Sequence, residues 1–109
     1  MYKLIYSEPF FNDIDGLYEY IEDDYEAENA RRKVFILLDK KLDDIELMPY
    51  AWALVKDDNL SVLGYRFSLI KNFLLFFIIN EDDKIIEIVR FLPSQMDWAS
   101  ILIEDIETN

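Results

Sequence analysis

The sequence contains no cysteine and no histidine. The first absence excludes disulfides and thiolate metal sites, and it fits a cytoplasmic protein. The second removes the usual general base near neutral pH and the commonest ligand of transition metals. Proton transfer would fall to carboxylates, lysine or tyrosine, and no metal or other cofactor is expected. Positive charge is also scarce. Eleven lysines and arginines stand against 23 acidic residues, a net charge of −12. Nucleic-acid binding is driven mainly by neutralising phosphates, so an acidic surface argues against binding free nucleic acid unless a local basic patch survives. No run approaches the ~20 apolar residues of a membrane span. Met1–Tyr6 passes straight into Ser7-Glu8-Pro9 without the apolar core of a cleavable signal. No membrane partner is expected.

What is present is apolar and aromatic. Hydrophobic residues make up 52% of 109, with 2 Trp, 7 Tyr and 8 Phe. A chain of this size buries roughly two-thirds of its unfolded surface, which predicts one domain over residues 1–109. The organising stretch is Gly64 to Trp98, read as three antiparallel strands. Its middle strand, Phe73 to Ile79, is apolar without a break, so both of its faces need cover. The flanking strands alternate. Tyr65, Phe67 and Leu69 share one face, with Arg66 and Ser68 on the other. Ile86, Ile88 and Arg90 share one face, with Ile85, Glu87, Val89 and Phe91 on the other.

Upstream, Tyr2–Tyr6 reads as a short strand. Ser7 offers an N-cap to a helix reaching about Tyr25, with Phe11, Ile14, Leu17, Tyr18, Ile21 and Tyr25 as its stripe. A second helix follows from about Ala27 to Met48, with Ala30, Val34, Leu37, Leu38, Leu42 and Ile45 facing inward, and Pro49 ends it. The short connection predicts an antiparallel hairpin. Ala51–Val55 reads as a short strand or extended loop, Lys56-Asp57-Asp58-Asn59 as a polar turn, and Gly64 as a bend. Lys71-Asn72 reads as a two-residue hairpin turn in which Asn tolerates positive φ. Asp97 to Glu107 reads as a short helix. The expected fold class is α+β: an N-terminal strand, an antiparallel two-helix hairpin, a three- to four-stranded antiparallel sheet and a short C-terminal helix.

The two-residue turn pairs Arg66 with Phe77 on one face. An even next turn puts Arg90 on that same face; an odd loop or a bulge sends it to the opposite one. An arginine on a half-buried sheet needs a partner or an open, ligand-binding face. Two readings follow. Each arginine pairs with a carboxylate such as Glu87, or both flank the central strand as a functional centre.

The ordered residues Ser7, Asp13-Ile14, Leu17 and Tyr20-Ile21, then Ile45-Glu46-Leu47-Met48-Pro49, Gly64-Tyr65-Arg66, Asn72-Phe73, Phe77, Ile88-Val89-Arg90-Phe91-Leu92 and Asp97-Trp98 carry a resemblance. The chain resembles the RelE/ParE superfamily of plasmid-stabilisation toxins from type II toxin–antitoxin modules over nearly its whole length. The resemblance implies a toxin-like component whose partner is a cognate antitoxin that wraps across the helices and sheet. The ParE-like branch implies inhibition of gyrase by binding, with toxicity weakened or lost here. The RelE-like branch implies a ribosome-dependent mRNA endonuclease holding the scissile phosphate, without metal, by Arg66, Arg90 and Lys56. A third reading is a non-toxic protein-interaction module. Three departures bear on the choice. Pro93 stands where histidine is frequent, Gln95 and Met96 stand where arginines are usual, and Phe73 and Phe77 stand where tyrosines often bracket the central strand.

The acidic runs Glu22-Asp23-Asp24, Asp43-Asp44 and Glu81-Asp82-Asp83 lack the spacing of a calcium loop and read as solvated surface. The basic run Arg31-Arg32-Lys33 reads as pairing with Glu28 and neighbouring acids.

Overall fold

A strand that is apolar on both sides demands cover on both sides. Phe73–Asn80 has it. The computed structural model describes residues 1–20 and 25–108. In chain order the elements are β1 (Lys3–Tyr6), α1 (Glu8–Tyr20), α2 (Tyr25–Leu47), a 3-10 turn (Pro49–Ala51), the one-turn helix α3 (Asp58–Ser61), β2 (Arg66–Ile70), β3 (Phe73–Asn80), β4 (Ile85–Pro93) and α4 (Trp98–Glu107). The sheet order is β1-β4-β3-β2. On one face Phe73, Leu75 and Phe77 pack with Ile70, Ile86, Ile88 and Phe91 under Phe10, Leu17, Val34, Leu38 and Ile45 of the two long helices. On the other, Phe76, Tyr65, Val89 and Leu92 pack under Leu102 of α4, with Val55 and Leu60 closing the side. Every second residue of β3 therefore serves a different core.

The strands β2, β3 and β4 run antiparallel in sequence, as their alternation predicted. The N-terminal strand differs. It joins the far edge of the sheet in parallel with β4, Lys3 opposite Ile85 to Tyr6 opposite Ile88, so the sheet is mixed. The direction lets the chain leave β1 at Ser7 and enter α1 directly over the first core. Ser7 caps that helix, its Oγ accepting from the Phe10 amide at 3.1 Å. The inward position of its first turn belongs to Phe10, not Phe11. The 10–14–17 spacing faces the sheet, while Phe11 is exposed and leans on Tyr6. On α2, Ala30 is exposed and Ala27 buried, a one-turn change from the predicted stripe. The side chains of Tyr18, Ile21 and Tyr25, the Glu22-Asp23-Asp24 run and the connection between the helices lie outside the described residues. The helices still run antiparallel. Tyr6, at the start of α1, is close enough to Glu46, Asp39 and Asp43 of α2 to feel their charge, whereas Leu17 and Val34 both approach Phe73.

The segment after α2 is a 3-10 turn followed by an extended piece, with a single bridge between Leu54 and Arg66. The polar turn at Asp57 caps α3, accepting from the Leu60 amide at 3.0 Å. Gly64 takes φ 92°, a conformation that favours glycine, and turns the chain into β2. The β2–β3 turn has the predicted two residues, with Ile70 opposite Phe73 and Arg66 opposite Phe77. The positive φ falls on Lys71 (54°) instead of Asn72, because a turn with its left-handed residue first also matches the twist of a hairpin.

The largest departure sits in β4. Phe77 faces Ile88 but Phe76 faces Arg90, leaving Val89 as an extra residue, a β-bulge. The four-residue turn at Glu81–Lys84 is even, which by itself would have put Arg90 on the face of Arg66. The bulge overrides it. Val89 and Arg90 both lie on the Phe76 side, and Phe91 returns to the core of Ile86 and Ile88.

Candidate functional site

The two arginines thus leave the sheet on opposite faces, and their surroundings differ in kind. Past Tyr6 no strand among the described residues lies beside the outer edge of β4. The start of α1 replaces the strand: Ser7 donates its amide to Ile88 O at 3.0 Å and its hydroxyl to Val89 O at 2.6 Å, and the Phe91 amide donates to Asp13 Oδ2 at 2.9 Å. Arg90 finishes this edge. Its Nε and Nη2 each donate to Asp13 at 2.8 Å, a bidentate pair, and its Nη1 donates to Asp105 of α4 at 2.9 and 3.2 Å. The Arg90 side chain is 16% exposed and that of Asp13 9%. The Asp13 hydrogen bonds push the Arg90 pKa further above its ordinary value, with burial opposing and Asp105 assisting. All three guanidinium nitrogens are engaged. The group ties α1, β4 and α4 together, and its charge is answered twice.

Arg66 has no carboxylate partner among the described residues. Its Nη1 donates to the Trp52 carbonyl, and the guanidinium lies 5.1 Å from the centre of the Tyr50 ring. The same segment carries a second cation on a ring, Lys41 Nζ at 4.5 Å from Trp52. A third follows around the corner, Lys84 Nζ at 5.2 Å from Tyr2. Glu81 joins the cluster, bonded to Lys84 at 2.8 Å and to the Tyr2 hydroxyl at 2.8 and 2.9 Å. Lys84, then Tyr2 and Tyr50, hold the Glu81 carboxyl below its usual range, and Glu81 in turn raises the pKa of Tyr2 and Lys84. Three cation–aromatic pairs therefore run as one strip, Lys41–Trp52, Arg66–Tyr50 and Lys84–Tyr2.

Lys56 is exposed beside the Asp57 cap, and no ion pair or hydrogen bond joins it to a described residue. The three residues Arg66, Arg90 and Lys56 do not converge on one point: Arg90 is enclosed between helices on the far face. The pairing reading holds for Arg90, though its partners are Asp13 and Asp105, not Glu87. Asp13 was visible as an acid inside the Phe10–Ile14–Leu17 stripe, where an unpaired carboxylate would be costly. Tyr50 and Trp52 follow Pro49 at alternate positions, a pattern that only gains meaning once Leu54 is seen against Arg66. Arg31 pairs with Glu28 at 2.9 Å, as expected. No helix among the described residues is long and apolar enough to cross a membrane.

The model of a family described as the ParE toxin of the type II toxin–antitoxin system parDE matches residues 4–98. Among solved structures, a chain from the chromosomal ParDE toxin–antitoxin system of P. aeruginosa has a TM-score of 0.64 at 17% identity, over 87% of this chain and 98% of that one. At that identity the likeness is one of fold. No curated protein matches.

Proposed function

Because the chain belongs to the ParE toxin family of type II toxin–antitoxin systems, we propose that it inhibits a protein target, DNA gyrase, by binding and not by cutting RNA. A toxin of such a system has a cognate antitoxin as its partner. The observation that carries the binding reading is the state of Arg90. A phosphate clamp needs guanidinium donors free to reach the anion and aimed at one place. Arg90 has spent its three nitrogens on Asp13 and Asp105, and Arg66 projects from the other face. Tyr65, on the Arg90 side of the sheet, is buried, and burial raises its pKa, which makes it a poor base near neutral pH.

The test is expression with and without the antitoxin encoded beside it, followed by plasmid supercoiling by gyrase and mRNA integrity on translating ribosomes. Supercoiling should fall with the toxin alone and recover with the antitoxin, while mRNA stays intact. Cleavage of ribosome-bound mRNA that disappears in Arg66→Ala would replace this proposal with the endonuclease reading. Normal growth and normal supercoiling without the antitoxin would leave a non-toxic interaction module.

A further inference from the structure

With 23 carboxylates for 11 cations, acids answer several basic side chains among the described residues. Arg90 takes two, Arg31 takes Glu28 and Lys84 takes Glu81. Arg66 and Lys41 take none among the described residues and rest on aromatic rings instead. A ring face attracts a cation by only about 0.5–1 kcal/mol at such sites and takes up no N–H donor, so Arg66, with Nη1 on the Trp52 carbonyl, keeps its remaining donors. Beside them the chain exposes Leu47 at 78%, Met48 at 67% and Tyr50 at 52%. These three, with Tyr2, Pro49 and Ala51, line a groove of about 460 Å³. Arginine, methionine and tyrosine are the residues enriched where proteins meet, and a cationic edge beside an apolar groove is the form of such a patch.

We propose that this strip is the surface on which the toxin holds its protein target, and that the target presents an acidic segment there. One carboxylate of the segment sits on Arg66 with Lys41 nearby, and a bulky apolar side chain enters the groove beside Met48 and Tyr50. The inference rests on the reading of the chain as a toxin that works by binding. Charge separates the target from the antitoxin. An antitoxin segment that covers much of a chain of net charge −12 is matched by basic residues. The strip is matched by acidic ones. Charge also separates the target from nucleic acid. A phosphate chain running the length of the strip would meet Glu81 at one end, whereas a single carboxylate needs only Arg66.

The probe is a labelled synthetic peptide with glutamates around a central phenylalanine. Its lysine counterpart and a single-stranded RNA of equal charge are the controls, all titrated against the whole protein at low and physiological salt. The acidic peptide should bind, weaken with salt, and lose about tenfold in affinity in Arg66→Glu. Lys41→Glu, which leaves Arg66 in place, should lose a smaller factor. Both variants should assemble with the antitoxin as the parent does, which also shows that they fold. Equal peptide binding by parent and Arg66→Glu would overturn the proposal. So would tighter binding of RNA than of the acidic peptide, or an Arg66→Glu protein that loses the antitoxin instead of the peptide. Peptide binding without inhibition of gyrase would refute the proposed function and leave the strip. Inhibition of gyrase unchanged in Arg66→Glu would do the reverse.

Discussion

Arg66 and Arg90 sit on the two strands that flank β3, in similar apolar sequence, yet one is enclosed and the other is presented. Three features of the fold make the difference. The bulge at Val89 turns Arg90 toward the α4 side, the end of β1 leaves the β4 edge open to α1, and each of those helices carries an aspartate at the meeting point. Arg66 lies at the opposite edge of the sheet, where the covering segment is Tyr50–Leu54 and offers rings and a carbonyl. What an arginine does on a sheet is thus decided by the composition of whatever covers it. The strand that bears it has little say.

The contrast breaks most visibly at Asp13. Asp13→Ala removes the bidentate partner of a largely buried guanidinium and also orphans the Phe91 amide, so unfolding in urea should show a loss of about 3 kcal/mol. Asp105 is 28% exposed and makes one arm of the contact, so Asp105→Ala should cost about 1 kcal/mol. Equal losses at the two aspartates would mean that α1 and α4 hold Arg90 alike, and a larger loss at Asp105 would make α1 incidental. Arg66→Ala should stay within about 1 kcal/mol of the parent, since it removes one bond to a carbonyl and one ring contact at a part-buried site. Its expected effect is on binding, not on folding. An Arg66→Ala protein as unstable as Asp13→Ala would erase the distinction between the two arginines.

Much of this was legible in the amino-acid order. The apolar run Phe73–Ile79, the two-residue turn and the alternation of Tyr65–Leu69 were enough to pair Arg66 with Phe77, and Ser7, Pro49 and Asp97 marked helix ends because capping is local chemistry. The parallel seat of β1 was not legible, since a four-residue strand carries no signal of its neighbour. Nor was the bulge. Ile88-Val89-Arg90-Phe91 alternates acceptably in either register, and only packing under α4 selects the one with Val89 and Arg90 on the same side. The strip was hidden for a related reason. Tyr50, Trp52, Lys41 and Arg66 come from three segments, and their proximity is a product of the tertiary fold.

The smallest predicted effect concerns the end of the strip, where an exposed cluster ties β1 to the β3–β4 turn. Glu81 is held below the ordinary carboxylate range by Lys84 and the tyrosine hydroxyls. A carboxyl whose pKa falls on folding contributes above its unfolded pKa, about 4.3, and that contribution disappears as pH drops through the lowered folded value. Tyr2 and Lys84 move the other way, raised chiefly by their hydrogen bonds to Glu81, so their contribution is complete below their unfolded values and fades as pH climbs through the raised ones. The cluster should therefore hold β1 in place across the neutral range and release it at both extremes. Amide hydrogen exchange in Lys3–Tyr6 reads this directly. Protection relative to the intrinsic exchange rate should fall below about pH 4 in the parent, and that acid limb should vanish in Glu81→Gln. The Arg90 end offers a built-in control, because the Phe91 amide is bonded to Asp13 and not to this cluster. If the Phe91 amide and the β1 amides lost protection together in Glu81→Gln, the two ends of the sheet would be opening as one unit, and the separation between an enclosed arginine and a presented one would not extend to their dynamics.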